Sequence, residues 1–199
     1  MAKDTKQRIL EAALEMFSSK GYAGTNIREL TASLGLVKSS MYKHFKSKED
    51  IWNTLLDELI LYYNEGFGSP DHLPPVPDSL EELAAMTMRM VDFTVHDEKV
   101  IKTRKLLMIE QYRDDRARKL ASQHFLIGLK DMFTDIFAGM MDKGLIRQDD
   151  PAMLALAYTT PISALIQLCD REPEKAEEAL IQIEAFSRHF IKTYGNNHG

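Results

Sequence analysis

Between Gly35 and Ile51 the sequence GLVKSSMYKHFKSKEDI sets four lysines, a histidine, a tyrosine and several serines within a few turns of chain, and no acidic residue stands between Glu29 and Glu49. Ammonium groups, hydroxyls and an imidazole without a neighbouring carboxylate suit contact with phosphates and base edges. Such a stretch can read nucleic acid only if the chain presents it on one face. Helical spacing does this: Met41 and Phe45, four apart, fall on one side, and Ser39, Ser40, Lys43 and His44 on the other, with Tyr42 at the edge. Two other groupings, His96-Asp97-Glu98 and Asp114-Asp115, carry acid/base or metal-ligating types. Adjacent residues on a helix diverge, however, and no HExxH spacing, Gly-rich phosphate loop or nucleophile motif accompanies them. No catalytic residue, metal or cofactor is expected, and an enzyme is the minor alternative.

The elements that must hold the basic stretch are short helices. Ile9, Ala12, Ala13, Met16 and Phe17 give one apolar stripe over Thr5 to Lys20, which Gly21 should stop. Thr25 is placed to cap a second helix carrying Ile27, Leu30, Thr31 and Leu34, closed by Gly35. The spacing predicts a further short helix over Lys38 to Phe45. Ser47, three residues before Asp50, then opens a longer helix with Ile51, Leu55, Leu59 and Tyr62, as a capping box would. Lys46 and Lys48 flank that N-terminus, where free N–H groups also attract phosphate.

The order of helix, Gly21-Tyr22, Thr25, short helix, Gly35-Leu36, KSSMYKHF and SKEDI resembles the N-terminal domain of the TetR family of bacterial transcriptional regulators. Two positions depart from the family pattern: Val37 stands where a small capping Ser or Thr is usual, and Thr31 where Ala is usual. The resemblance implies that Lys38, Ser39, Ser40 and Lys43 approach base edges or adjacent phosphates of double-stranded DNA. It implies that Thr25, Tyr42, His44 and Lys48 fix the backbone and that Arg28 reaches base or phosphate from the preceding helix. Taken singly, a surface lysine is usually just solvated, Tyr42 is a packing residue and His44 bonds backbone. The conjunction on one outward face points to DNA.

Charge distribution agrees. The whole chain of 199 residues has a net charge of -5, but residues 1–50 hold nine Lys/Arg against six Asp/Glu, leaving -8 for the rest. Basic charge segregated onto one module is the footprint of a nucleic-acid partner. One cysteine, Cys169, offers neither an internal disulfide nor a zinc cluster, which fits a cytoplasmic protein. The start MAKDTKQRIL contains no apolar core of a secretory signal.

Gly66 to Asp78 holds four prolines and two glycines and reads as a linker. Helical patterns follow from Ser79, over Val100 to Tyr112, from Phe125 to about Gly144, over Pro151 to Cys169 and from Glu174 to Tyr194; the charge run Arg113 to Lys119 reads as a solvated helix end. The chain is therefore expected to be all-α with about nine helices: a helix-turn-helix domain over 1–50, a connecting helix over 51–66 and a larger helical domain over 67–199. Pro151 to Cys169 is nineteen residues without a charge, but its Thr159, Thr160, Pro161, Ser163 and Gln167 suit a helix buried between protein surfaces better than a membrane span.

One helix-turn-helix contacts few base pairs, so the larger domain is expected to form a homodimer. The candidates are the last two helices, through Leu154, Tyr158, Leu165, Ile183, Phe186 and Phe190. The family resemblance further implies a small-molecule effector pocket, for which Met88, Met108 and Met132 offer adaptable apolar surface and Arg89, Arg104, Gln111 and Tyr112 polar contacts. The reading is a repressor that binds a palindromic operator and is released by an effector. The alternative is a DNA-bound protein whose C-terminal half recruits a protein partner.

Overall fold

Helical periodicity becomes helix almost throughout the described residues, 4–67 and 73–196 of the computed structural model. The helices are α1 (Thr5–Gly24), α2 (Ile27–Ser33), α3 (Lys38–Met41), α4 (Lys48–Phe67), α5 (Leu80–His96), α6 (Glu98–Glu110), α7 (Asp115–Ser122), α8 (Gly128–Asp142), α9 (Pro151–Arg171) and α10 (Ala176–Tyr194). A π turn over Gln123–Ile127 precedes α8. The chain is all-α: among the described residues the only β pairing is an isolated bridge between Ile146 and Gly195. Of the Pro-rich linker, residues 68–72 lie outside the described residues, and 73–79 are non-helical.

Local chemistry sets the helix ends. Gly21, at φ 74°, interrupts α1 where a stop was expected. Ser79 accepts the Glu82 N–H at 3.0 Å while Glu82 takes the Asp78 N–H at 2.7 Å, closing a capping box on α5. Asp150 accepts from Ala152 and Met153, with Pro151 in the first turn of α9. The charge run from Arg113 is more than a solvated end. Asp114 caps Ala117 N–H at 2.7 Å, and Ala117 and Ala121 are buried, so α7 is an amphipathic helix whose small apolar residues hide among charges.

The chain divides into two compact units. The first comprises Met1–Glu65 and Glu98–Ala121. The sequence boundary at residue 66 would leave α6 and α7 with the C-terminal part; instead α6 lies along α1, burying Val100, Leu106 and Leu107, with Lys102 reaching Glu15 at 2.6 Å. Arg116 of α7 donates to the Asn53 carbonyl at 3.3 Å and pairs with Asp57, both on α4.

The second unit comprises Gly66–Asp97 and Ser122–Gly199. Its α8 and α9 pack together over a core that includes Leu83, Met132, Phe133, Phe137, Tyr158 and Ile183. Tyr158 is fully buried with its hydroxyl 2.9 Å from the Thr87 hydroxyl and 2.6 Å from that of Ser187, so the polar atom is satisfied inside an apolar cluster. The rings of Phe133, Phe137 and Phe190 stand 5.3, 5.6 and 4.7 Å from it.

Four of the six residues expected at a dimer interface lie in this core. Leu154, Tyr158, Ile183 and Phe190 are 4, 0, 0 and 5% exposed within their own chain, and surface already removed from water cannot be buried again by a partner. Leu165 and Phe186 pack, partly buried, against the same cluster. Because α9 is apolar all round, its sequence does not say which face turns inward. The outward face carries Met153, Leu156, Ala157, Thr160 and Ala164, and exposed Ile181 stands on α10. By length and composition α9 is apolar enough to cross a membrane, yet Leu154, Tyr158, Ile162 and Ile166 make it a core helix of this unit.

Candidate nucleic-acid interface

The basic stretch keeps the two faces its spacing implies. Met41 and Phe45 are 0 and 2% exposed, while Lys38, Ser39, Tyr42, Lys43 and His44 are exposed and Ser40 is half-buried. Burying Met41 and Phe45 anchors α3 against the first unit's core and leaves the hydroxyls, imidazole and ammonium groups facing solvent. The helix is shorter than the pattern over 38–45: α3 ends at Met41, and Lys43 and His44 donate to the Ser40 and Met41 carbonyls at 3.3 and 2.9 Å, a tightened last turn. At its start, Val37 has the extended backbone of a cap but no side-chain bond to offer.

Neighbouring elements fix α3. The cap of α2 is Asn26, which accepts the Glu29 N–H at 2.9 Å. Thr25, expected in that role, is 2% exposed and donates its hydroxyl to the Gly21 carbonyl at 3.1 Å. It therefore shapes the turn from inside rather than standing at the surface. Thr31, the unusual residue in α2, is buried with its hydroxyl donated to the Ile27 and Arg28 carbonyls, which makes a polar side chain acceptable there. Arg28 is exposed on the same helix. At the other end Ser47 accepts Asp50 N–H at 3.0 Å, and Asp50 takes Lys46 N–H at 2.7 Å, so the expected capping box opens α4.

Lys48 is set differently from the other lysines. It is half-buried, with its ammonium 4.2 Å from the centroid of the Tyr22 ring. Burial pushes its pKa below the ordinary lysine value, and the Glu110 carboxylate pulls the other way. Tyr22 is itself wedged against Phe17 at 5.6 Å and Trp52 at 5.3 Å, and burial raises its phenol pKa. Lys38 reaches over the Tyr42 ring at 5.6 Å, and exposed Lys6 of α1 stands 5.8 Å from the Phe45 ring. Tyr22 and Lys6 were not among the expected residues. Each reaches the stretch through a side-chain contact that spacing does not foretell, Tyr22 against Trp52 of α4 and Lys6 over Phe45.

The effector candidates fall in both units. In the second, Met132 is buried, Met88 half-buried and Arg89 exposed. In the first, Arg104 is 3% exposed, Met108 is 40% exposed and Tyr112 is 88% exposed, while Gln111 donates to the Met108 carbonyl and sulfur at 3.1 and 3.3 Å. Arg89 and Tyr112 thus point to solvent, and Gln111 is engaged within its own turn.

Residues 9–55 match the family described as bacterial regulatory proteins, tetR family. The HTH-type transcriptional regulator AcrR of Shigella flexneri is 30% identical over 114 residues, 54% of this chain and 47% of that protein. The biofilm operon icaADBC HTH-type negative transcriptional regulator IcaR of Staphylococcus epidermidis is 33% identical over 58 residues, covering 29% of this chain and 31% of that protein. The match thus spans less than half the length of either curated relative. Among solved structures, SmeT, repressor of the Stenotrophomonas maltophilia multidrug efflux pump SmeDEF, aligns over 98% of this chain and 93% of its own with a TM-score of 0.68 at 18% identity. The SmeT–triclosan complex aligns over 98% and 94% with a TM-score of 0.74, also at 18% identity, a likeness of fold.

Proposed function

The chain belongs to the TetR family of bacterial regulatory proteins, and on that premise we propose that it represses transcription by binding a palindromic DNA operator as a homodimer, from which a small-molecule effector releases it. The observation that carries this reading is the division of α3, with Met41 and Phe45 inward and Lys38, Ser39, Tyr42, Lys43 and His44 outward. A short helix so divided fits the major groove, with the lysines neutralising phosphates and the hydroxyls meeting base edges. Arg28 and Lys48 extend the contact to either side.

The effector part rests on the second unit's methionines and on the binding of triclosan by a structural neighbour. Met132 and Met88 are the side chains best suited to an adaptable apolar site. An effector acts only through different affinities for the DNA-binding and released arrangements.

Selection of duplexes from a random pool tests the central claim. It should enrich an inverted repeat whose half-sites are about 34–36 Å apart or a related multiple. Lys43→Ala should then weaken binding to that duplex and reduce the slope of log K against log salt by about one, the loss of one phosphate contact. No enrichment, or an isotherm for Lys43→Ala that overlies the wild type's, removes α3 from the interface.

A further inference from the structure

The left-handed Gly21 in α1 frees a backbone donor, and a residue 88 positions away accepts it. Glu110, the last residue of α6, takes the Tyr22 N–H at 2.7 Å through Oε1. Glu110 as a residue is 3% exposed, so the acceptor comes from a buried side chain, though the bond itself is partly open to solvent. Gly21 is also the only kind of residue that leaves room: a Cβ there would meet Glu110 Oε1 at 2.7 Å. The bonded peptide is that of Tyr22, whose ring carries the Lys48 ammonium 4.2 Å from its centroid. A shift of the Tyr22 backbone therefore shifts the platform under Lys48.

We propose that Glu110 is a positioning residue for DNA binding: by accepting the Tyr22 N–H it fixes the ring that holds Lys48, and so places that ammonium for a phosphate at the start of α4. The role rests on the DNA-binding reading given above. Glu110 touches no DNA; its acceptor oxygen is what holds the Tyr22 N–H, and its charge acts in addition to favour the ammonium form of Lys48. A glutamine at the same reach offers the same oxygen, whereas an aspartate withdraws it by one methylene.

The test measures binding of the selected duplex against salt for the wild type, Glu110→Asp, Glu110→Gln, Lys48→Ala and the double variant Glu110→Asp/Lys48→Ala, with thermal unfolding of each. Glu110→Asp should weaken binding by as much as Lys48→Ala does and flatten the salt slope by about one, the loss of one phosphate contact. Glu110→Gln should keep both affinity and slope. The double variant should bind no worse than the weaker single variant, because both changes remove the same contact. A residue that only holds the fold together would lower the melting temperature and leave the slope of the folded fraction alone. If Glu110→Asp does not fold, Tyr22→Leu substitutes for it, keeping the N–H bond and removing the ring; it too should flatten the slope. Wild-type slope and affinity in Glu110→Asp, or losses that multiply in the double variant, overturn the positioning role alone. A wild-type protein that selects no duplex overturns the DNA-binding reading and this role with it.

Discussion

His124 stands in the π turn between α7 and α8, half-buried, and burial pushes its pKa down from 6.5 to about 4. An unfolded chain would protonate this imidazole near its ordinary value, whereas the folded chain resists. The sign follows from proton counts. Between pH 6.5 and about 4 the unfolded state binds more protons, so the stability contributed by neutral His124 is fully present above that window and is lost as pH falls through it. From pH 7 to pH 5 the loss should be about 2 kcal/mol. Urea unfolding at the two pH values should show this drop in the wild type and most of it absent in His124→Gln; equal drops in both would mean that burial of His124 does not set the acid sensitivity. A single histidine in sequence gives no hint of this, since its environment comes from helices packed around the π turn.

Capping was the most legible feature of the elements, because both partners lie within four residues. Ser47 with Asp50 and Pro151 after Asp150 are placed as their sequence implies. Thr25 and Asn26 are adjacent capping types, and Asn26 takes the cap while the Thr25 hydroxyl turns inward to the Gly21 carbonyl. Faces were legible around α3, where Met41 and Phe45 fall four apart among polar residues, and illegible in α9, where every face is apolar. Glu110, packed from α6 onto a turn of α1, left no local trace at all. Val37 is a defect visible in both sequence and structure, 66% exposed with extended backbone at φ -84°, ψ 151° and no side-chain bond at the cap. Val37→Ser should supply the missing acceptor and stabilise the protein by about 1 kcal/mol. A rise in the urea midpoint with unchanged slope checks it, and a midpoint at or below the wild type's would show that the four-residue α3 draws nothing from its cap.

At the scale of the molecule, the proposed operator requires two reading heads, and a two-fold pair needs a self-complementary surface on each chain. The outward face of α9 is the candidate. Met153, Leu156, Ala157, Thr160 and Ala164 follow one another along the outward face of α9 without a charge, and Met153 and Leu156 are 59 and 38% exposed. Ile181 on α10, 63% exposed, adds another apolar side chain on the same unit. Residues already in the core, such as Tyr158, hold the unit's own helices together, so the outward face can be altered without opening the core. Leu156→Arg puts a charge where two copies of α9 would meet, and desolvating an unpaired charge costs several kcal/mol. Sedimentation at micromolar concentration should show a wild-type dimer and a monomeric Leu156→Arg, with the variant's far-ultraviolet spectrum unchanged and its operator binding lost. A wild type that sediments as a monomer would refute the dimer, and a variant that remains a dimer would move the pairing surface off α9.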